Sequence, residues 1–217
     1  MDFILREIPS TNWQTILIVA CMSLLAIARG VNVLLFSDFI MLFNTNKYII
    51  SHQKINKLSS LFNSLLVLFQ VLSISLFLYL CFDVFGWQVA PNESTLFIKI
   101  AIIYTVVVVC KILIEKIIGA IFSIDDLIDE YLFYKISYRN LLGVILLPIV
   151  VVFTYTLPPS KPVFLVLFVL LGIGNSVLLV SFYKKNEKII FNYMFYFILY
   201  LCTLEIAPYF ILYKLIN

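Results

Sequence analysis

Residues 61–82 read LFNSLLVLFQVLSISLFLYLCF, a continuous apolar run without a charged side chain. A helix needs about 20 mainly apolar residues to cross a bilayer core. The run does not alternate between apolar and polar positions, so it does not fit the strand of a membrane barrel. Working outward from it, five further runs meet the same description: 13–28 before it, then 95–113, 141–157, 162–182 and 190–212 after it. The expected fold is therefore all-α: a polytopic integral membrane helix bundle with six transmembrane helices in a single transmembrane domain covering residues 1–217.

Composition agrees. Of 217 residues, 63% are apolar and only 12% charged, and the mean hydropathy is +1.08. A soluble domain averages roughly 45–50% apolar and about 25% charged. These figures argue against a soluble globular enzyme, a disordered tail and a basic nucleic-acid binder. The net charge of +3 is spread through the connections between runs, with no basic stripe for nucleic acid. Cys21, Cys81, Cys110 and Cys202 all lie in or at the ends of apolar runs with no CxxC spacing, and they read as small helix residues.

Two stretches near the N-terminus need separate treatment. Ile18-Val19-Ala20-Cys21 resembles a lipoprotein cleavage box, but Asp2, Arg6 and Glu7 precede it in place of a basic segment. The apolar run also continues through Leu24, Leu25 and Ile27, so a retained helix is expected. Residues 31–43 are too few to span. Asn32, Ser37 and Asp38 fall on different sides of a helical wheel, and the segment is expected to be a short interfacial or re-entrant helix.

Sidedness follows from the basic residues. Arg29, Lys47, Lys54 and Lys57 lie between the first two spans. Lys111, Lys116, Lys135 and Arg139 lie around the connection from the third to the fourth, and Lys184, Lys185 and Lys188 lie between the fifth and sixth. The alternate side holds Arg6, Lys161 and Lys214, with Lys99 close to it. This asymmetry places both termini in the periplasm and residues 29–60 and 114–140 in the cytoplasm, where a soluble partner would dock.

An ionisable group inside a span costs about 2.5–3.5 kcal/mol and is a candidate by default. Glu205 lies in Leu204-Glu205-Ile206-Ala207-Pro208, about 10 Å below the outer end of its span by helical rise. Pro208 frees the carbonyl of Leu204 beside the carboxylate. Lys99 lies about 6 Å below the same surface, so the expectation is a Glu205–Lys99 ion pair, or else a proton or cation site at Glu205. Asp125-Asp126-Leu127-Ile128-Asp129 matches the DDxxD pattern in which carboxylates one turn apart hold Mg²⁺ against a diphosphate. A second acidic cluster is missing, which favours a solvated turn between Lys116 and Lys135 over a metal site at Asp125, Asp126 and Asp129. Gly172, Gly174 and Asn175 suit close helix packing, and Gln70, Ser73 and Ser75 have the same reading. Arg139-Asn140 opens the fourth span, and Pro148 and Pro208 mark kinks. No Walker loop, HExxH, GxSxG or dinucleotide fingerprint is present. No catalytic residue and no cofactor are expected.

Asn192-Tyr193 and then Tyr200-Leu201-Cys202-Thr203-Leu204-Glu205-Ile206-Ala207-Pro208, followed by Lys214, resemble the closing signature of an uncharacterised domain-of-unknown-function family. Arg29, Arg139–Gly143 and Leu147-Pro148 add to that likeness. The resemblance implies a small inner-membrane protein of Bacteroidetes-type bacteria; it implies no activity and no site residues.

The expected function is that of a non-enzymatic inner-membrane subunit or assembly factor of a bacterial envelope complex. Its expected partners are the lipid bilayer and another membrane protein. The alternatives are a proton- or ion-coupled transporter or channel component using Glu205, and a lipid-phosphate enzyme using Asp125, Asp126 and Asp129.

Overall fold

The computed structural model describes residues 12–41, 61–86, 93–122, 125–156 and 160–185. Its elements are α1 (Asn12–Val31), α2 (Val33–Met41), α3 (Leu61–Phe85), α4 (Glu93–Phe122), α5 (Asp125–Tyr155) and α6 (Lys161–Lys185), and among the described residues there is no strand. Among the described residues, four segments are long and apolar enough to cross a membrane: Asn12–Val31, Leu61–Phe85, Ser94–Ile121 and Ile128–Tyr155. The chain forms two compact units, Met1–Lys161 and Pro162–Asn217. The first contains α1 to α5. In the second, α6 includes a shorter apolar stretch, Lys161–Gly172, that starts on the last residue of the first unit. The sixth expected span, 190–212, lies outside the described residues.

Within the first unit α3 is central and packs against α1, α4 and α5. Its sequence is apolar all round, as a helix enclosed by others must be. Phe62, Leu66, Phe69, Leu76, Phe77 and Leu80 are buried on it, and so are the polar Asn63, Gln70, Ser73 and Ser75. The helix stops at Gly86, whose φ of 74° is open to a residue without Cβ. The Gly86 amide donates to the Asp83 carbonyl at 3.1 Å and closes the last turn.

The helix ends are matched by aromatic and hydroxyl contacts. Trp13 at the start of α1 meets Tyr79 near the end of α3 edge-on at 4.9 Å, and Phe97 near the start of α4 at 5.6 Å. Thr15 and Tyr155 hydrogen-bond through their hydroxyls at 2.5 Å, joining the start of α1 to the end of α5. These contacts fix an up-down-up-down order for α1, α3, α4 and α5, in which α3 and α5 run parallel.

The short helix expected near 31–43 is α2. Asn32 separates it from α1 by one residue, and its side-chain oxygen accepts the Leu35 amide at 3.0 Å, capping the new helix. Leu35 and Phe39, one turn apart, are the buried residues of α2, which packs on α1 and α5. α1 itself runs without interruption through Cys21, which is buried.

The largest departure from the sequence reading concerns residues 114–140, expected as a cytoplasmic connection. α4 continues to Phe122 and α5 begins at Asp125, so only residues 123 and 124 separate two helices of 30 and 31 residues. The hydropathy edges lie at charged residues, but those charges are matched across the hairpin. Lys135 pairs with Glu115, and Lys116 pairs with Asp129 at 3.3 Å. Near the turn the helices touch: a Cβ on Gly119 would lie 3.2 Å from Cβ of Ile128. α5 runs on through Pro148, which is exposed and removes the amide that would bond the Val144 carbonyl.

Candidate functional site

α4 has two unlike faces. Ile98, Ile102, Ile103, Val106 and Val107 are exposed, forming a β-branched surface of the kind that can face lipid. The opposite stripe, Phe97, Ile100, Tyr104, Val108, Glu115 and Gly119, recurs at intervals of three, four and seven residues. All of these are buried except the half-buried Tyr104. This helical spacing carries one carboxylate and one phenol into the seam between α3, α4 and α5.

The carboxylate is Glu115. Its side chain is 1% exposed, and its Oε1 accepts a hydrogen bond from Lys135 Nζ at 2.7 Å. Lys135 remains 21% exposed and lies over the Tyr131 ring, 5.0 Å from its centroid. The ammonium therefore reaches inward from a partly wet position, with its stem on an aromatic face. Glu115 Oε2 is buried and has no hydrogen-bond partner among the described residues. One turn along α5 from Tyr134, Tyr138 packs against it with the rings inclined at 45° and their centroids 4.8 Å apart.

The phenol is Tyr104. Gln70 Nε2 on α3 donates to its hydroxyl at 2.7 Å. One turn along α3, Ser73 donates to the buried Gly143 carbonyl of α5 at 2.8 Å. Gly143 is needed at this crossing, because a Cβ there would lie 3.3 Å from Cα of Gln70. Asn140 and Arg139 stand three and four residues before Gly143 on α5. Arg139 is partly exposed and lies within electrostatic reach of the Tyr104 hydroxyl. Three atoms in this layer are buried without a hydrogen-bond partner among the described residues: Gln70 Oε1, Asn140 Oδ1 and Arg139 Nε.

The sequence-derived candidates are distributed as follows. Lys99 is an exposed residue of α4, whereas Glu205 and Pro208, and with them the Lys99–Glu205 pair, lie outside the described residues. Asp125 and Asp129 are exposed at the start of α5, and Asp129 is engaged by Lys116. Among the described residues no group of three or more His, Cys, Asp and Glu side chains is placed to hold a metal ion. Gly172, Gly174 and Asn175 all fall within α6, and a Cβ built on either glycine meets no atom of the described residues within 4 Å. Gln70, Ser73, Arg139 and Asn140, noted separately in the sequence, come together around Gly143. Sequence reading missed Tyr104 and Glu115. The signal that finds them is the interior stripe of α4, since hydropathy alone ends the span before Glu115.

The chain belongs to the family described as "Domain of unknown function (DUF4271)", whose model matches residues 14–216. No curated protein matches it, and no solved structure does.

Proposed function

We propose that this DUF4271 chain is a non-enzymatic subunit or assembly factor of an envelope complex in a bacterial inner membrane, with six spans and both termini periplasmic. One observation supports the reading most directly: interior polar side chains are used to join helix to helix. Ser73 ties α3 to α5, Gln70 ties α3 to Tyr104 of α4, and Lys135 ties α5 to Glu115 of α4. Such bonds hold a scaffold together, since an unsatisfied polar group in hydrocarbon costs several kcal/mol, or about that order. Affinity purification of the full chain from native membranes in mild detergent tests the proposal. A partner recovered in fixed ratio is the expected result; recovery of the chain alone in repeated preparations overturns it.

The topology has its own test. With the basic connections inside, an impermeant thiol reagent applied to intact cells should label a cysteine placed at Ser160 and spare one placed at Asn186, and the reverse pattern inverts the assignment. A second reading, an ion-coupled transporter component, draws on Glu115, whose second carboxylate oxygen is buried without a hydrogen-bond partner among the described residues. Flux of protons or cations into liposomes carrying the purified chain, lost in Glu115→Gln, would favour it over the subunit.

A further inference from the structure

We propose that Arg139, Tyr104, Gln70 and Asn140 form a binding site for a phosphate oxyanion, presented by a lipid headgroup. The argument starts from charge. Lys135 and Arg139 stand four residues apart on α5, on one side of the helix. Glu115 engages Lys135 at 2.7 Å. Arg139 has neither an ion pair nor a hydrogen bond among the described residues, and its Nε is sealed from solvent. Water can solvate a guanidinium, but it leaves the charge uncompensated next to a low-dielectric seam. A planar fork of donors is matched by an anion offering two oxygens, as phosphate does.

The neighbouring groups complete the match. The Tyr104 hydroxyl accepts from Gln70 Nε2 at 2.7 Å, so its own proton is available to donate to the anion. Gln70 Oε1 and Asn140 Oδ1 are buried acceptors without hydrogen-bond partners among the described residues, and they suit hydroxyl groups. A phosphate carrying a hydroxylated substituent satisfies both sets at once, with its oxygens on Arg139 and Tyr104 and its hydroxyls on the two amides. The four residues come from α3, α4 and α5: Gly143 of α5 packs against Gln70 of α3, Gln70 bonds Tyr104 of α4, and Asn140 and Arg139 stand three and four residues before Gly143 on α5. In the basic-inside orientation Arg139 lies in the cytoplasmic half of the Ile128–Tyr155 segment, on the side of the leaflet whose phosphates a long guanidinium side chain can reach.

The test uses the full chain purified in maltoside micelles, with the unfolding midpoint read from intrinsic fluorescence. The added probes are phosphatidylglycerol, diacylglycerol with the same tails, and inorganic phosphate. Phosphatidylglycerol is expected to raise the midpoint by about 5–10 °C at a hundredfold excess over its dissociation constant, whereas diacylglycerol leaves it unchanged. Arg139→Gln should abolish the shift, and Lys116→Gln, which removes an exposed cation, should preserve it. If Arg139→Gln fails to fold, Arg139→Lys takes its place. It keeps the charge, loses the fork, and is expected to cut the shift by at least about half. Inorganic phosphate without effect supports the headgroup as the source, and a matching shift with phosphate assigns the site to the free ion. Equal shifts with phosphatidylglycerol and diacylglycerol, no shift with either phosphate probe, or an undiminished shift in the Arg139 variant overturns the proposal.

Discussion

Lys135 Nζ donates to Glu115 Oε1 at 2.7 Å across the α4–α5 hairpin, and the two ends of this pair see different surroundings: the carboxylate is 1% exposed, the ammonium side chain 21%. The cost of desolvation therefore falls mainly on Glu115. Removing Lys135 strands a charge with no route to water, while removing Glu115 leaves a lysine that can turn outward along the Tyr131 ring.

This asymmetry predicts unequal single variants. Lys135→Met should destabilise the protein by about 3–5 kcal/mol, the usual cost of stranding a buried charge. Glu115→Gln should cost less, and the double variant should recover most of the loss, because an ion pair replaced as a whole is often nearly neutral. Reversible unfolding of the purified protein in mixed micelles measures all three. Additive losses in the double variant would show that the pair contributes no coupling.

The two kinds of glycine in the chain should respond in opposite ways to an added methyl group. At Gly143 the new Cβ meets the Gln70 backbone at 3.3 Å, and backbone cannot turn aside as a side chain would. Gly143→Ala is expected to cost about 1–3 kcal/mol. At Gly172 no atom of the described residues lies within 4 Å of the new Cβ, and the helix preference of alanine should make Gly172→Ala neutral or stabilising by up to about 1 kcal/mol. Unfolding midpoints of the two variants against the parent decide it.

The acidic start of α5 should tolerate change. Lys116 and Asp129 pair at 3.3 Å with side chains 49% and 57% exposed. Pairs this wet are worth less than about 1 kcal/mol. Changing Asp125, Asp126 and Asp129 together to Asn should leave membrane abundance and cellular function near normal. Loss of function at normal abundance would instead return the lipid-phosphate enzyme to consideration.

Asn32 is expected to matter through its side chain alone. Asn32→Ala removes the acceptor of the Leu35 amide and should cost about 1 kcal/mol, whereas Asn32→Ser or Asn32→Asp should keep most of it. Faster hydrogen exchange at the Leu35 amide in the alanine variant, and not in the other two, is the local signature.

The sequence located helices well where burial and hydropathy agree. The run 61–82 became Leu61–Phe85, 13–28 became Asn12–Val31, and 162–182 became Lys161–Lys185. It located them poorly where charges are matched across space. Glu115, Lys116 and Lys135 each signal the end of an apolar window, yet the helices carry straight through them. Partners twenty and thirteen positions away in sequence remove the cost that hydropathy assigns to Lys135 and Lys116. The same holds for the candidate site. Gln70 and Arg139-Asn140 were visible as polar residues in apolar surroundings. That Gly143, one turn from Arg139-Asn140, packs on Gln70 depends on α3 and α5 running parallel, which no local pattern encodes.

The hydroxyl bond between Thr15 and Tyr155 also sets a clock. The two residues are 140 positions apart. Ribosomes add about 5–20 residues per second, so α1 is made roughly 7–28 seconds before the residue that fastens its first turn to α5. For that interval the earliest helix has only α2 and then α3 and α4 beside it. Ser73 likewise has no Gly143 carbonyl to bond until a residue 70 positions later has been made. The first unit therefore cannot close its last seams before the fifth helix is made, and until then α1 and α3 lack the α5 groups they bond.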